Sequence, residues 1–192
     1  MRFTAPALLA AASLTLAGCQ TVQDNLGTPE PNPGPCPNAL SLYDAHRLVE
    51  FPGSDELLYE NIGFTGEILN VASLCRYSGE RAGPIDNEMA IRFAFGRGPA
   101  AVGDSRVYRY FITVTRRDMA VIDRFEYEIP VTFEPGQDRV VVIEEIDRLS
   151  IPRLDETTSG ANFEILVGFV LTDEQIEFNR QGLRFRIDAG QD

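Results

Sequence analysis

The chain has 192 residues, 44% of them hydrophobic, and a formal net charge of −12. That length fits one domain with tails, the apolar share is enough for a core, and the acidic balance argues against nucleic acid and against a polybasic lipid-headgroup binder. All 17 basic residues are arginine, which excludes a Walker A lysine, a Ser–Lys dyad and a lysine Schiff base.

Residues 1–18 carry a single charge, Arg2, followed by an apolar run that closes on small residues, the pattern of a secretory signal. A spanning helix needs about 20 apolar residues. The run ends on Leu16-Ala17-Gly18-Cys19, which resembles the bacterial lipobox. That resemblance implies cleavage before Cys19, diacylglyceryl modification of its thiol and acylation of the new amine. Gln20 as the second mature residue, in place of Asp, further implies export to the outer membrane, with the chain held at the periplasmic face. Acyl chains anchor firmly because each buried CH₂ contributes about 0.8 kcal/mol.

Residues 19–38 follow as the lipidated cysteine and a spacer. Pro29, Pro31, Pro33, Pro35 and Pro37 alternate there with other residues, which favours extended polyproline geometry and a semi-rigid tether. A single β-sandwich domain is expected over residues 39–192.

Within that domain, residues 40–51 fit neither the helical nor the strand period, so helix and bulged strand both stay open. Residues 62–77 read as a strand that changes face near Asn70, a sign of a bulge. Ile91, Phe93 and Phe95 then alternate with Arg92 and Ala94, and Tyr108, Tyr110, Ile112 and Val114 with Arg109, Phe111 and Thr113. Met119, Val121, Phe125, Tyr127, Ile129, Val131 and Phe133 occupy odd positions of a long run. Residues 140–146, the row Phe163, Ile165, Val167, Phe169 and Leu171, and a last row Leu183, Phe185 and Ile187 complete the pattern. About seven strands separated by Gly/Pro/Asp turns predict an all-β, antiparallel, immunoglobulin-like sandwich. Between the last two rows, Thr172 and the acids Asp173 and Glu174 open a short helix that closes before Gly182.

Chemistry-bearing residues are sparse. Cys36 and Cys75 remain once Cys19 is acylated, and in an oxidising compartment such a pair reads as one structural disulfide; a reactive thiol or a metal pair are the alternatives. His46 is the single histidine and has no partner motif around it, so it reads as structural. The acid clusters Asp55/Glu56, Glu144/Glu145/Asp147 and Asp173/Glu174/Glu177 read as solvated faces, with a two-carboxylate hydrolase as the sharper alternative. Asp86, Asn87 and Glu88, like Asp104 and Ser105, place oxygen ligands in loops as a calcium site would, but match no EF-hand. Arg97, Gly98 and Pro99 form a loop after a strongly apolar strand, either a tight turn or an arginine presented to an acidic partner group. No catalytic, cofactor or metal residue is assigned.

Taken in order, the lipobox, the Pro-rich spacer, Cys36-Pro37, the run from Phe64-Thr65-Gly66-Glu67-Ile68 to Cys75-Arg76-Tyr77, Arg97-Gly98-Pro99-Ala100-Ala101 and Val167-Gly168-Phe169 resemble small envelope lipoproteins of Gram-negative bacteria of unestablished function. Gly66-x-Ile68-x-Asn70 is similar to a strand of immunoglobulin-like periplasmic modules. The resemblance implies the localisation and a compact β domain, and carries no catalytic residues. The expectation is a non-enzymatic interaction or scaffold lipoprotein, anchored to the membrane by its lipid and bound to another envelope protein. A module for a small ligand or a cation is the alternative, and a carboxylate glycan hydrolase a third reading.

Overall fold

The structure, a computed structural model, describes residues 34–78, 82–117 and 120–183. The signal peptide, Cys19, most of the spacer, Met119, Phe185 and Ile187 lie outside them. Eight strands form two sheets: β1 (Asn38–Ser41), β2 (Arg47–Val49), β3 (Phe64–Tyr77), β4 (Ile85–Arg97), β5 (Ser105–Arg116), β6 (Val121–Thr132), β7 (Arg139–Ile151) and β8 (Phe163–Phe169). Among the described residues one helix, α1 (Asp173–Arg180), follows. No helix among the described residues is long and apolar enough to cross a membrane.

The strand order is β1-β8-β5-β6 in one sheet and β2-β3-β4-β7 in the other. All pairings are antiparallel except β1 with β8. Alternation sets the inner faces: Ile91, Phe93 and Phe95 of β4 meet Tyr108, Tyr110 and Ile112 of β5 and Ile165, Val167 and Phe169 of β8 in one core. Ring centroids 4.1 Å apart for Phe95 and Tyr108, and 5.0 Å for Phe93 and Tyr110, join the two sheets into a sandwich. Each such phenylalanine, isoleucine or valine side chain contributes about 1.5–3 kcal/mol by leaving water. Gly66 is required by this packing, since a Cβ there would meet the Phe169 ring at 2.9 Å.

Six of the expected seven rows are strands, β3 to β8, and the seventh, Leu183 to Ile187, lies mostly outside the described residues; two more strands arise because residues 40–51 are neither a helix nor one strand. They divide into β1, a 3-10 turn at Tyr43–Ala45, and β2. The turn carries the chain from one sheet to the other, and no uniform period survives such a transfer. The bulge falls where the face shift places it, between Ile68 and Asn70. Before it Phe64, Gly66 and Ile68 face inward; after it Val71, Cys75 and Tyr77 do.

At the start of α1, the Thr172 hydroxyl accepts the Gln175 amide while the Gln175 side chain accepts the Thr172 amide. Phe178 then packs with Val49 and Ile62 in a small second core. The buried Asn179 side-chain amide donates to the Asp44 and Arg47 carbonyls at 2.8 and 2.9 Å, seating the helix on β2.

Candidate functional site

The two ends of the sandwich differ. At one end Cys36 and Cys75 form the expected disulfide, with Cα atoms 5.6 Å apart. Beside it the Tyr77 hydroxyl donates to the Pro35 carbonyl at 2.8 Å and accepts the Gly160 amide at 2.6 Å. Residues 34–37 are therefore bound to the domain at this end.

The opposite end is built from three interlocked loops. Gly63 donates to the Glu50 carbonyl at 2.8 Å and Glu50 to that of Phe64 at 2.9 Å, which closes the loop between β2 and β3 at its base. Gly98 and Ala100 donate to the Gly63 and Ile62 carbonyls at 2.6 and 2.8 Å, so the β4–β5 loop lies on the first. A Cβ on Gly98 would stand 2.4 Å from the Ile62 oxygen, so only glycine permits this approach. The β6–β7 loop is tied in through Arg97, whose amide donates to the Asp138 carbonyl at 2.9 Å and whose guanidinium pairs with the Asp138 carboxylate at 3.4 Å. Arg106 pairs with Glu50 at 2.6 Å beneath them.

These fixed loops display apolar side chains to water. Leu57, Leu58 and Tyr59 are each close to half exposed, and Val102 is 84% exposed. Tyr59, Arg97, Pro99, Ala101 and Asp138 line an open cavity of about 380 Å³. A second cavity of about 460 Å³ lies on the α1 side, between Phe51, Pro52, Leu57, Gln175 and Phe178. Arg97, Gly98 and Pro99 thus meet at one cavity rim, with Arg97 engaged by Asp138 and Gly98 occupied in backbone packing. Reading the sequence missed Leu57, Leu58 and Tyr59. Their signal is a consecutive apolar triplet in an aperiodic segment between Gly53 and Gly63.

Elsewhere the candidates take structural places. His46 bonds through Nδ1 to the Tyr43 carbonyl at 2.5 Å and lies against the Tyr43 ring. Asp86, Asn87 and Glu88 belong to β4 rather than to a calcium loop. The Ser150 hydroxyl, and then Arg148, hold the Asp86 carboxyl below its ordinary value, and the buried Asn87 side-chain amide donates to the Ile85 and Leu149 carbonyls. Asp55, Glu56, Glu145, Asp147, Asp173 and Glu174 are exposed, while Glu144 is half-buried on the inner face of β7. Among the described residues, no three of His, Cys, Asp and Glu are grouped so as to hold a metal ion. Burial pushes the Tyr108 and Tyr110 phenols up, and neither hydroxyl has a hydrogen-bonding partner among the described residues. The chain matches no protein-family profile, no curated protein and no solved structure.

Proposed function

We propose that this chain is a lipoprotein of the outer membrane's periplasmic face that acts as a non-enzymatic interaction or scaffold module. One observation carries the reading: loops locked by backbone hydrogen bonds expose Leu57, Leu58, Tyr59 and Val102 together, at the end away from Cys36. Apolar side chains held rigidly in water, rimmed by the Arg97–Asp138 pair, are what a protein partner buries at the centre of an interface. The 14 residues of β3 separate the two ends, roughly 40 Å at strand rise. A tether leaving from Cys36 toward an acylated Cys19 would present that surface away from the bilayer. The lipobox-like Leu16-Ala17-Gly18-Cys19, followed by Gln20, supports the location.

The sandwich reads as immunoglobulin-like. In support, the neighbours β3-β4-β7 and β6-β5-β8 follow the A-B-E and C′-C-F order of that fold, with β1 beside β8 at the G position.

In intact cells, crosslinking and affinity capture of the full chain should return a reproducible partner. That partner should be lost with Leu58→Asp and with Cys19→Ala. Capture unchanged by Leu58→Asp overturns the loop-end reading. A second reading, a small-ligand module, is favoured by the cavity between Phe51 and Phe178, whose size suits a small molecule. It predicts a ligand-dependent rise in Tm that a bulky residue at Leu57 removes.

A further inference from the structure

Strand edges offer unpaired amides and carbonyls, and folded proteins blunt them with short strands, proline, bulges or charge. Three of the four edges here are blunted. β1 and β2 are short, at 4 and 3 residues, and β6 carries Pro130 and a register shift opposite Val114 and Thr115. β7 differs over its first eight residues: among the described residues it pairs only with β4, it contains no proline, and its own register shift falls between Ile146 and Leu149, beyond residues 139–146, which run in unbroken register against Gly96 back to Met89. Its outward face over that stretch reads Arg139, Val141, Ile143, Glu145, with Val141 41% and Ile143 59% exposed. Neither Arg139 nor Glu145 makes an ion pair among the described residues.

We propose that the β7 edge pairs with the β7 edge of a second copy of this chain. A two-fold axis through Val142 sets the strands antiparallel and makes the outward face self-complementary. Arg139 then stands opposite Glu145 of the other copy, Val141 opposite Ile143, and the same pairs recur in reverse order beyond the axis. The alternatives are poorer. A slip of one residue brings inward side chains against outward ones. A slip of two faces Val141 with Glu145, or leaves Glu145 diagonal to Arg139 rather than opposite it. The result is one continuous sheet, β2-β3-β4-β7 joined to its copy, and it leaves the loop end of each copy open. It goes beyond the scaffold reading and does not depend on it.

The test uses the full chain carrying Cys19→Ser, so that no thiol is free outside the Cys36–Cys75 disulfide. Copies bearing Val141→Cys are mixed with copies bearing Ile143→Cys under a mild oxidant. Directly opposed residues lie about 4.5–5.5 Å apart and diagonal ones about 7–8 Å, so the mixture should crosslink and either variant alone should not. Sedimentation should give a dimer. Arg139→Glu or Glu145→Arg alone should weaken it about tenfold by opposing like charges, and the two together should restore it. All these side chains are exposed, and an unchanged Tm confirms that the variants fold. A monomer throughout the micromolar range overturns the proposal. So does a dimer that crosslinks equally well with either single variant, or one that the charge reversals leave unchanged.

Discussion

The Tyr77 hydroxyl reaches the Pro35 carbonyl across 42 positions of sequence, at 2.8 Å, and accepts the Gly160 amide from the other side. One hydroxyl thereby satisfies two backbone groups where the proline-rich segment meets the sandwich, next to the Cys36–Cys75 bridge. Tyr77→Phe leaves a carbonyl and an amide without that partner and should cost about 1–3 kcal/mol. Reducing the disulfide reopens a loop of 39 residues and should cost up to about 4 kcal/mol on the chain-entropy account. Urea unfolding with and without reductant measures both. The two losses should not add, because both release the same segment.

Asn179 couples α1 to the segment that changes sheets. With its side-chain amide gone, the Asp44 and Arg47 carbonyls lose a buried donor, so Asn179→Ala should cost about 2 kcal/mol. Thr172→Ala removes the helix cap and should cost about 1 kcal/mol. Hydrogen exchange should show the Asn179 variant opening β2 together with α1. The Thr172 variant should fray α1 alone.

That coupling also shows what the sequence carried and what it did not. Rows such as Ile91, Phe93, Phe95 and Tyr108, Tyr110, Ile112 were readable because each strand buries one face, so period two is imposed along its length. The bulge at Asn70 was readable for the same reason, as a break in phase. Residues 40–51 were not, because their burial changes sheet at every few residues, which is a property of the tertiary path. Asn87 misled in another way. With Asp86 and Glu88 it reads as a loop of oxygen ligands, yet it lies within β4, where its buried Nδ2 donates to the Leu149 carbonyl of the neighbouring strand, a partner 62 positions away. The loop-end residues Leu57, Leu58 and Tyr59 became legible only when backbone bonds from Gly98 and Ala100 showed that their loop is fixed.

Tyr108 and Tyr110 place phenols in the core, where burial raises their pKa above the ordinary value of about 10. The folded state therefore holds these protons more tightly than the unfolded chain. Their contribution is fully present below about pH 10 and is lost as pH rises toward the folded values. Alkaline unfolding should begin above about pH 10 and coincide with phenolate absorbance of the buried pair. Tyr108→Phe with Tyr110→Phe should remove much of that alkaline loss. At neutral pH the double variant should be as stable or about 1 kcal/mol more stable, since each hydroxyl is buried without a partner among the described residues.

Arg97 and Gly98 are neighbours whose substitutions should separate packing from recognition. The Gly98 backbone lies so close to Ile62 that an added Cβ meets backbone, which cannot swing aside as a side-chain end would. Gly98→Ala should therefore cost about 1–3 kcal/mol and lower Tm. Arg97 makes one ion pair at 3.4 Å with an Asp138 side chain that is 61% exposed, and pairs of that kind are worth about 0–1 kcal/mol. Arg97→Ala should leave Tm nearly unchanged. If the loop end is a protein contact, Arg97→Glu, which also sets like charges beside Asp138, should reduce partner capture from cells far more than it reduces Tm. Capture and Tm falling in proportion for both variants would instead make Arg97, like Gly98, a residue of the turn alone.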